Sequence, residues 1–330
     1  MKKLLLGSAL AASVLITGSS FAETKVSGIL ETTYNSENSK TAAASPGSSG
    51  GTIGHETEIR LRTSKELDNG LGLTAGFDLT DGTAADQYLK LSMGSTTFAI
   101  GNDVSGVADN VSQEDFAPFI ANPFHGEGSA GSITGVKTVH GSNGLYLINK
   151  QDMFTVEGVY VPNTNAKNTT GPSSNNLDES GSGYDLAIHG NFGIEGLKIG
   201  YGVSDLNGTG TADIQEGVAY GIKYSISGIT VGAGTSENTV GAVGSNTVVS
   251  NNTAYGISYA VNDALNIGYY EGEHDSGVSS QAQNEEYQSI QVGYDFGGLG
   301  VTAALYNLDN DGGTVGTDQE MFEVRTVTKF

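Results

Sequence analysis

The chemically distinctive groups of this chain are its fixed charges. It has three arginines, Arg60, Arg62 and Arg325. Five carboxylates, Asp103, Asp109, Glu114, Asp115 and Glu127, fall in or beside the stretch 104–142, among Phe116, Phe119, Ile120 and Phe124. Guanidinium groups stay charged at any working pH, so a basic stripe facing carboxylates across a narrow aqueous gap sets up a transverse field. Such a field orients small polar solutes and disfavours apolar ones. A plainer reading pairs the same arginines with Glu31, Glu58 and Glu323 on one wall.

Other chemistry has less behind it. Asp309, Asp311 and Glu320 take the first, third and twelfth places of a calcium-loop spacing, yet Thr314 stands where that loop requires glycine. The segment also joins two expected strands where the motif joins helices. Calcium there, or at Glu271, Glu273 and Asp275, is expected to be adventitious, and no cofactor is expected. The five histidines have no metal-site spacing; His189 is expected to line an interior, with His55 and His274 near loop ends. No nucleophile elbow, HExxH or P-loop pattern occurs, and with no cysteine neither disulfides nor thiolate ligands are possible. An enzyme is not expected.

Residues 1–22 read as an export signal: Met1-Lys2-Lys3, an apolar run from Leu4 to Ile16, then Ser20-Phe21-Ala22. No stretch is long and apolar enough to cross a bilayer as a helix. Without residues 1–22, which hold Lys2 and Lys3 and no acid, the 15 basic and 37 acidic residues become 13 and 37, a formal charge of −24. Nucleic acid is therefore an unfavourable partner.

From residue 23 onward the pattern alternates with a period of two, as in Tyr255, Ile257, Tyr259 and Val261. About sixteen strands are expected, the first at 23–34, the second at 55–67, the fifteenth at 299–309 and the last at 320–330. Tight connections such as Asp68-Asn69-Gly70, Ser227-Gly228 and Gly297-Gly298 alternate with long ones, including 35–54, 81–85 and 104–142. The sixteen segments form one domain, 23–330, an all-β antiparallel transmembrane barrel with short turns at one rim and long loops at the other. Arg60, Arg62 and Arg325 have the parity of the polar face. Closure places them on the strands flanking the first, within about 10 Å laterally.

On these features, with Lys25 to Leu30, Glu58-Ile59-Arg60-Leu61-Arg62, the long insertion after the fifth strand and the closing strand Phe322 to Phe330, the chain resembles a Gram-negative general porin. The resemblance implies short periplasmic turns, long outer loops, and a third loop, here 104–142, folded back to narrow the pore. It places Asp103, Asp109, Glu114, Asp115 and Glu127 on the acidic side of that constriction and the arginines on the basic wall. It implies a homotrimer amid outer-membrane lipid and lipopolysaccharide, with Phe330 as the membrane-assembly signal. The expected role is passive diffusion of small hydrophilic solutes and ions, preferring cations on grounds of net charge. A substrate-selective channel and a non-channel adhesin are the alternatives.

Overall fold

The computed structural model describes residues 23–40, 49–101, 111, 116–118, 120, 144–162, 182–206, 213–242, 248–277, 283–311 and 314–330. Residues 1–22, read above as an export signal, lie outside them. The strands are β1 Glu23–Lys40, β2 Ser49–Glu66, β3 Gly72–Thr80, β4 Thr83–Met93, β5 Thr96–Gly101, β6 Gly144–Lys150, β7 Phe154–Val161 and β8 Gly183–Gly190. They continue as β9 Leu197–Leu206, β10 Asp213–Ile226, β11 Ile229–Ala242, β12 Val248–Ala260, β13 Leu265–Asp275, β14 Glu285–Asp295, β15 Leu299–Asp309 and β16 Asp318–Lys329. Each pairs antiparallel with its neighbours in sequence, and β1 pairs with β16 to close the barrel.

Closure removes every free strand edge, which hydrocarbon could not satisfy. It is completed at the last residue: Gly28 N–H donates to Phe330 O at 2.8 Å, and Phe330 N–H donates back to Gly28 O at 3.1 Å. An eleven-residue strand such as β13 is about 36 Å long and, tilted by about 40°, crosses about 28 Å, the thickness of a bilayer's hydrocarbon.

The two faces have the reverse of a soluble protein's polarity. On β14, Ile290 is 58% exposed and its neighbour Gln291 is 0% exposed. Glu285 and Ser289 are buried on the same inward face as Gln291, while Val292 and Tyr294 are exposed outside. The same alternation gives an apolar exterior of Leu89, Leu186, Ile222, Ile257, Ile267 and Leu305. Aromatic side chains gather at the short-turn rim, where Phe154 stacks on Phe192 at 6.2 Å and Tyr294 meets Phe296 at 4.5 Å. Lipid-facing charge at mid-height would cost roughly 2–4 kcal/mol per Lys or Arg, and among the described residues the lysines and arginines away from the strand ends have inward parity.

Two expectations of the sequence need correction. The connection expected at 81–85 is the two-residue turn Asp81-Gly82, with φ of 49° and 78°, and β4 starts at Thr83. Both central residues of such a turn need positive φ, which Asp-Gly supplies at low cost. The alternation of tight and long connections therefore has an exception at β3–β4. The first long connection is also shorter than 35–54, because β1 and β2 run on as a paired ribbon to Asn38 and Ser49. Backbone pairing continues through Ser, Asn and Gly that carry no apolar beat.

Candidate functional site

The inner wall is built by strand parity, since cross-strand partners share a face. Ser27 of β1 stands opposite Arg60, Lys25 opposite Arg62 and Thr33 opposite Arg325. All three arginines therefore face the interior, two strand spacings apart as expected. Along the strand they separate: from Ser27 to Thr33 is about 20 Å at roughly 3.3 Å per residue. Arg325 thus sits nearer the loop rim than Arg60 and Arg62, and the three form a staggered series rather than one cluster.

Each arginine has a carboxylate on the same wall. Arg60 donates to Glu58, with Nη2 to Oε2 at 2.7 Å. Arg325 Nη2 donates to Glu31 Oε2 at 2.5 Å. Arg62 grips Asp78 of β3 through both terminal guanidinium nitrogens, Nη1 donating to Oδ1 and Nη2 to Oδ2, the latter at 2.6 Å. Asp78 is 3% exposed, so this is a desolvated, two-point ion pair. Two of the three partners expected from sequence, Glu31 and Glu58, are found in place; Asp78 is the partner that sequence alone did not indicate. Arg62 Cζ also lies 4.9 Å from the Tyr88 ring centroid and Lys90 Nζ lies 3.9 Å from it, two cation–π contacts on one ring.

The described residues of the long connection after β5 lie inside the barrel. Val111 and Phe116 are fully buried with Ala99, Val159, Ala187 and Ala219 of the inner wall. Further round, Ala117 packs with Ala254, Tyr287 and Leu308. Polar contacts fix the same segment: Ile120 N–H donates to Gln291 Oε1 at 2.9 Å, and the Tyr270 hydroxyl donates to Pro118 O. Val111, Phe116, Ala117, Pro118 and Ile120 therefore lie against the inner wall, with contacts from β5 round to β14.

Glycine makes the seat. Gly200 and Gly221 face each other across β9 and β10 on the inward side, and a Cβ on Gly200 would lie 2.6 Å from Val111 Cγ1 and 2.7 Å from Phe116 Cζ. A Cβ on Gly221 would strike the same ring, and one on Gly293 would lie 2.5 Å from Ile120 Cγ2. Close approach of a second backbone is one of the few reasons for glycine inside a strand. Lys198 Nζ lies over the Phe116 ring, 5.0 Å from its centroid. Asp103, Asp109, Glu114, Asp115 and Glu127, the expected acidic members, lie outside the described residues, as do Phe119 and Phe124.

The remaining candidates are structural. His189 faces inward as expected, its Nε2 2.7 Å from Glu157 Oε1, while Tyr146 donates to Glu157 Oε2 at 2.6 Å. Among the described residues no group of three or more His, Asp or Glu could hold a metal ion. Asp309, Asp311 and Glu320 are not gathered: Asp311 accepts from Gln319 Nε2 at 2.5 Å within a hairpin connection.

Five inward tyrosines, Tyr88, Tyr146, Tyr270, Tyr287 and Tyr306, were not indicated by the sequence. Tyr270 and Tyr287 are buried rather than lining open water, their rings lying over Gly256 and Gly272 of adjacent strands. The legible signal was a tyrosine directly opposite a glycine in a hairpin, as in Gly272 and Tyr287.

The geometry agrees with known proteins. No curated protein matches the chain. Among solved structures, an anion-selective porin from Comamonas acidovorans superposes with a TM-score of 0.72 at 13% identity, over 94% of this chain and 100% of that one. The outer membrane protein OmpT of Vibrio cholerae, folded in vitro, gives 0.67 at 13% identity over 97% and 100%, and its trimer form 0.64 at 13% identity over 94% and 100%. At such identities the likeness is one of fold. Membership comes from the family model for Gram-negative porins, which matches residues 9–313; the chain belongs to the Gram-negative porin family.

Proposed function

We propose that this porin forms a water-filled channel in the bacterial outer membrane for passive diffusion of small hydrophilic solutes and ions, preferring cations. The observation that carries this reading is the inverted polarity of a closed sheet, Ile290 outside and Gln291 inside on adjacent positions of β14. The segment from Val111 to Ile120 narrows the bore from within. The stretch 104–142 is its constriction loop, with Asp103, Asp109, Glu114, Asp115 and Glu127 on the acidic side. Arg60, Arg62 and Arg325 make the basic wall, their charge offset by Glu58, Asp78 and Glu31.

Cation preference follows from the charge of −24 on residues 23–330, which raises the local cation concentration in a narrow aqueous path. Anion selectivity is a property of the Comamonas protein; the charge here argues for the opposite sign. The buried, glycine-stacked tyrosines give no open aromatic track for a sugar, so general diffusion is favoured over a substrate-selective channel. Residues 1–22 direct export, and Phe330 marks the closing strand for assembly.

A homotrimer is supported by the charge distribution of the exterior. Away from the rims, the outward side chains of β1 to β5 among the described residues are apolar or uncharged, among them Leu30, Ile59, Leu61, Leu89 and Phe98. Outward positions near the loop ends of β9 to β16 carry Asp205, Glu216, Glu237, Glu271, Glu286 and Asp309. The uncharged face suits contact with a second copy, and the acidic one suits water and, through bridging divalent cations, anionic lipopolysaccharide.

The purified protein in a planar bilayer tests this reading. Discrete conductance steps are expected, with a reversal potential in a KCl gradient displaced toward that of potassium. A displacement toward chloride would overturn the cation preference, and the absence of steps would overturn the channel.

A further inference from the structure

The lumen is charged differently at its two ends. Lys25, Lys90, Lys150, Lys198, Lys223 and Lys329 all have inward parity, and each lies in the half of its strand that meets the short-turn rim. Arg60, Arg62 and Arg325 fall in the same half of theirs. Among the described residues, no lysine or arginine of inward parity falls in a loop-side half. The inward carboxylates Glu56, Asp78, Asp185, Glu285 and Glu323 do lie there. Inward carboxylates of the short-turn half, such as Glu58 and Glu157, are fewer than its cations.

We infer that the pore is bipolar along its axis and rectifies ionic current, conducting better when the loop-side compartment is positive. This rests on the proposed channel. Fixed carboxylates fill the loop-side half with mobile cations, and the lysine-rich half holds mobile anions. A field directed from the loop rim to the turn rim drives cations inward through the first half and anions inward through the second. Both accumulate at the junction, and conductance rises. The opposite field draws both species out and depletes the junction. The effect requires fixed charge to reach across the bore, so it depends on the Debye length: about 10 Å at 0.1 M and about 3 Å at 1 M salt.

The test is a current–voltage curve of single channels at both salt concentrations. Orientation is fixed by Val315→Cys: the chain has no cysteine of its own, and Val315 is exposed between β15 and β16. A thiol reagent too large to pass through the pore then reacts only from the loop-side chamber. At about 0.1 M KCl the current with that chamber positive is expected to be about twofold larger than at the reversed voltage, and the two to converge at about 1 M. Lys150→Glu with Lys223→Glu is expected to flatten the curve, whereas Lys65→Glu, at the same end but outward, leaves it unchanged.

An open channel with symmetric current at low salt, with the opposite polarity, or with rectification undiminished at high salt overturns this inference while leaving the channel standing. A membrane with no steps overturns both. The salt dependence of the wild-type protein decides the matter even where a charge-reversed variant fails to fold.

Discussion

Ile120 and Gln291 stand 171 positions apart in the chain, and the Ile120 N–H donates to Gln291 Oε1 at 2.9 Å. Gln291 is an inward residue of β14, so this one bond anchors the entering segment to the wall opposite the strands it left. Replacing Gln291 with Leu leaves that amide without its acceptor, at a cost of about 1–3 kcal/mol. The cost falls on the docked segment rather than on the barrel ladder. Gln291→Leu together with Tyr270→Phe, which also loses the bond to Pro118 O, is expected to give noisier open channels with an unchanged unfolding temperature in detergent. Quiet channels of wild-type conductance would show that these contacts do not hold the segment.

Phe116 supplies the apolar half of the same anchorage. Phe116→Ala empties the space above Gly200 and Gly221, and truncations of this kind cost about 3–5 kcal/mol in a packed site. A Gly221→Leu change acts from the other side, since its side chain would occupy the place of the ring. Both variants are expected to raise single-channel conductance. If the conductance of both stayed at the wild-type value, the internal segment would not set the narrowest section.

The pair of Arg62 and Asp78 is desolvated on the carboxylate side. Arg62→Gln strands a buried carboxylate, and breaking such a pair from one side costs about 3–5 kcal/mol. Arg62→Gln with Asp78→Asn removes both charges and is expected to recover most of the loss, read as the temperature at which the folded barrel loses its gel mobility. Equal destabilisation in the single and double variants would argue against the pairing.

The aromatic ring of Phe330 lies over Gly28: a Cβ on that glycine would come within 2.5 Å of Phe330 Cζ. The contact is on the outward face of the seam between β1 and β16. Gly28→Leu must displace the ring, and deletion of Phe330 removes both hydrogen bonds to Gly28. Both changes are expected to slow refolding into lipid vesicles relative to the wild type. In cells, the deletion alone is expected also to lower the amount assembled. Refolding of the deletion variant at the wild-type rate would leave Phe330 with no part in closing the seam.

How much was legible varies with what each residue reports. β15 was expected at 299–309 and is Leu299–Asp309, because its alternation is bounded by Gly297-Gly298 and by Asn310, whose φ is 57°. The outer parts of β1 and β2 were invisible, since Asn35 to Lys40 pair through their backbone without any apolar rhythm. Inward facing of Arg60 and Arg62 could be read from parity. Their offset from Arg325 could not, because register across the closing seam is set by how β16 meets β1 and not by either strand alone. Tyr270 was ambiguous beside Tyr269: two adjacent aromatics must face opposite sides, and only pairing with Gly256 and Ser289 says which is inside. Asp78 was hidden because its partner Arg62 is diagonal to it, Arg60 being the residue directly opposite in the β2–β3 pairing.

The bore itself is tested most directly by swelling of liposomes that contain the purified protein, challenged with sugars of graded size. Water inside the barrel, narrowed by the segment from Val111 to Ile120, gives swelling that is rapid for the smallest sugars and falls steeply as they grow, with the fall displaced to larger sugars in Phe116→Ala. Vesicles that swell no faster than protein-free ones for every sugar would contradict a wet interior, and swelling indifferent to sugar size would contradict its narrowing from within.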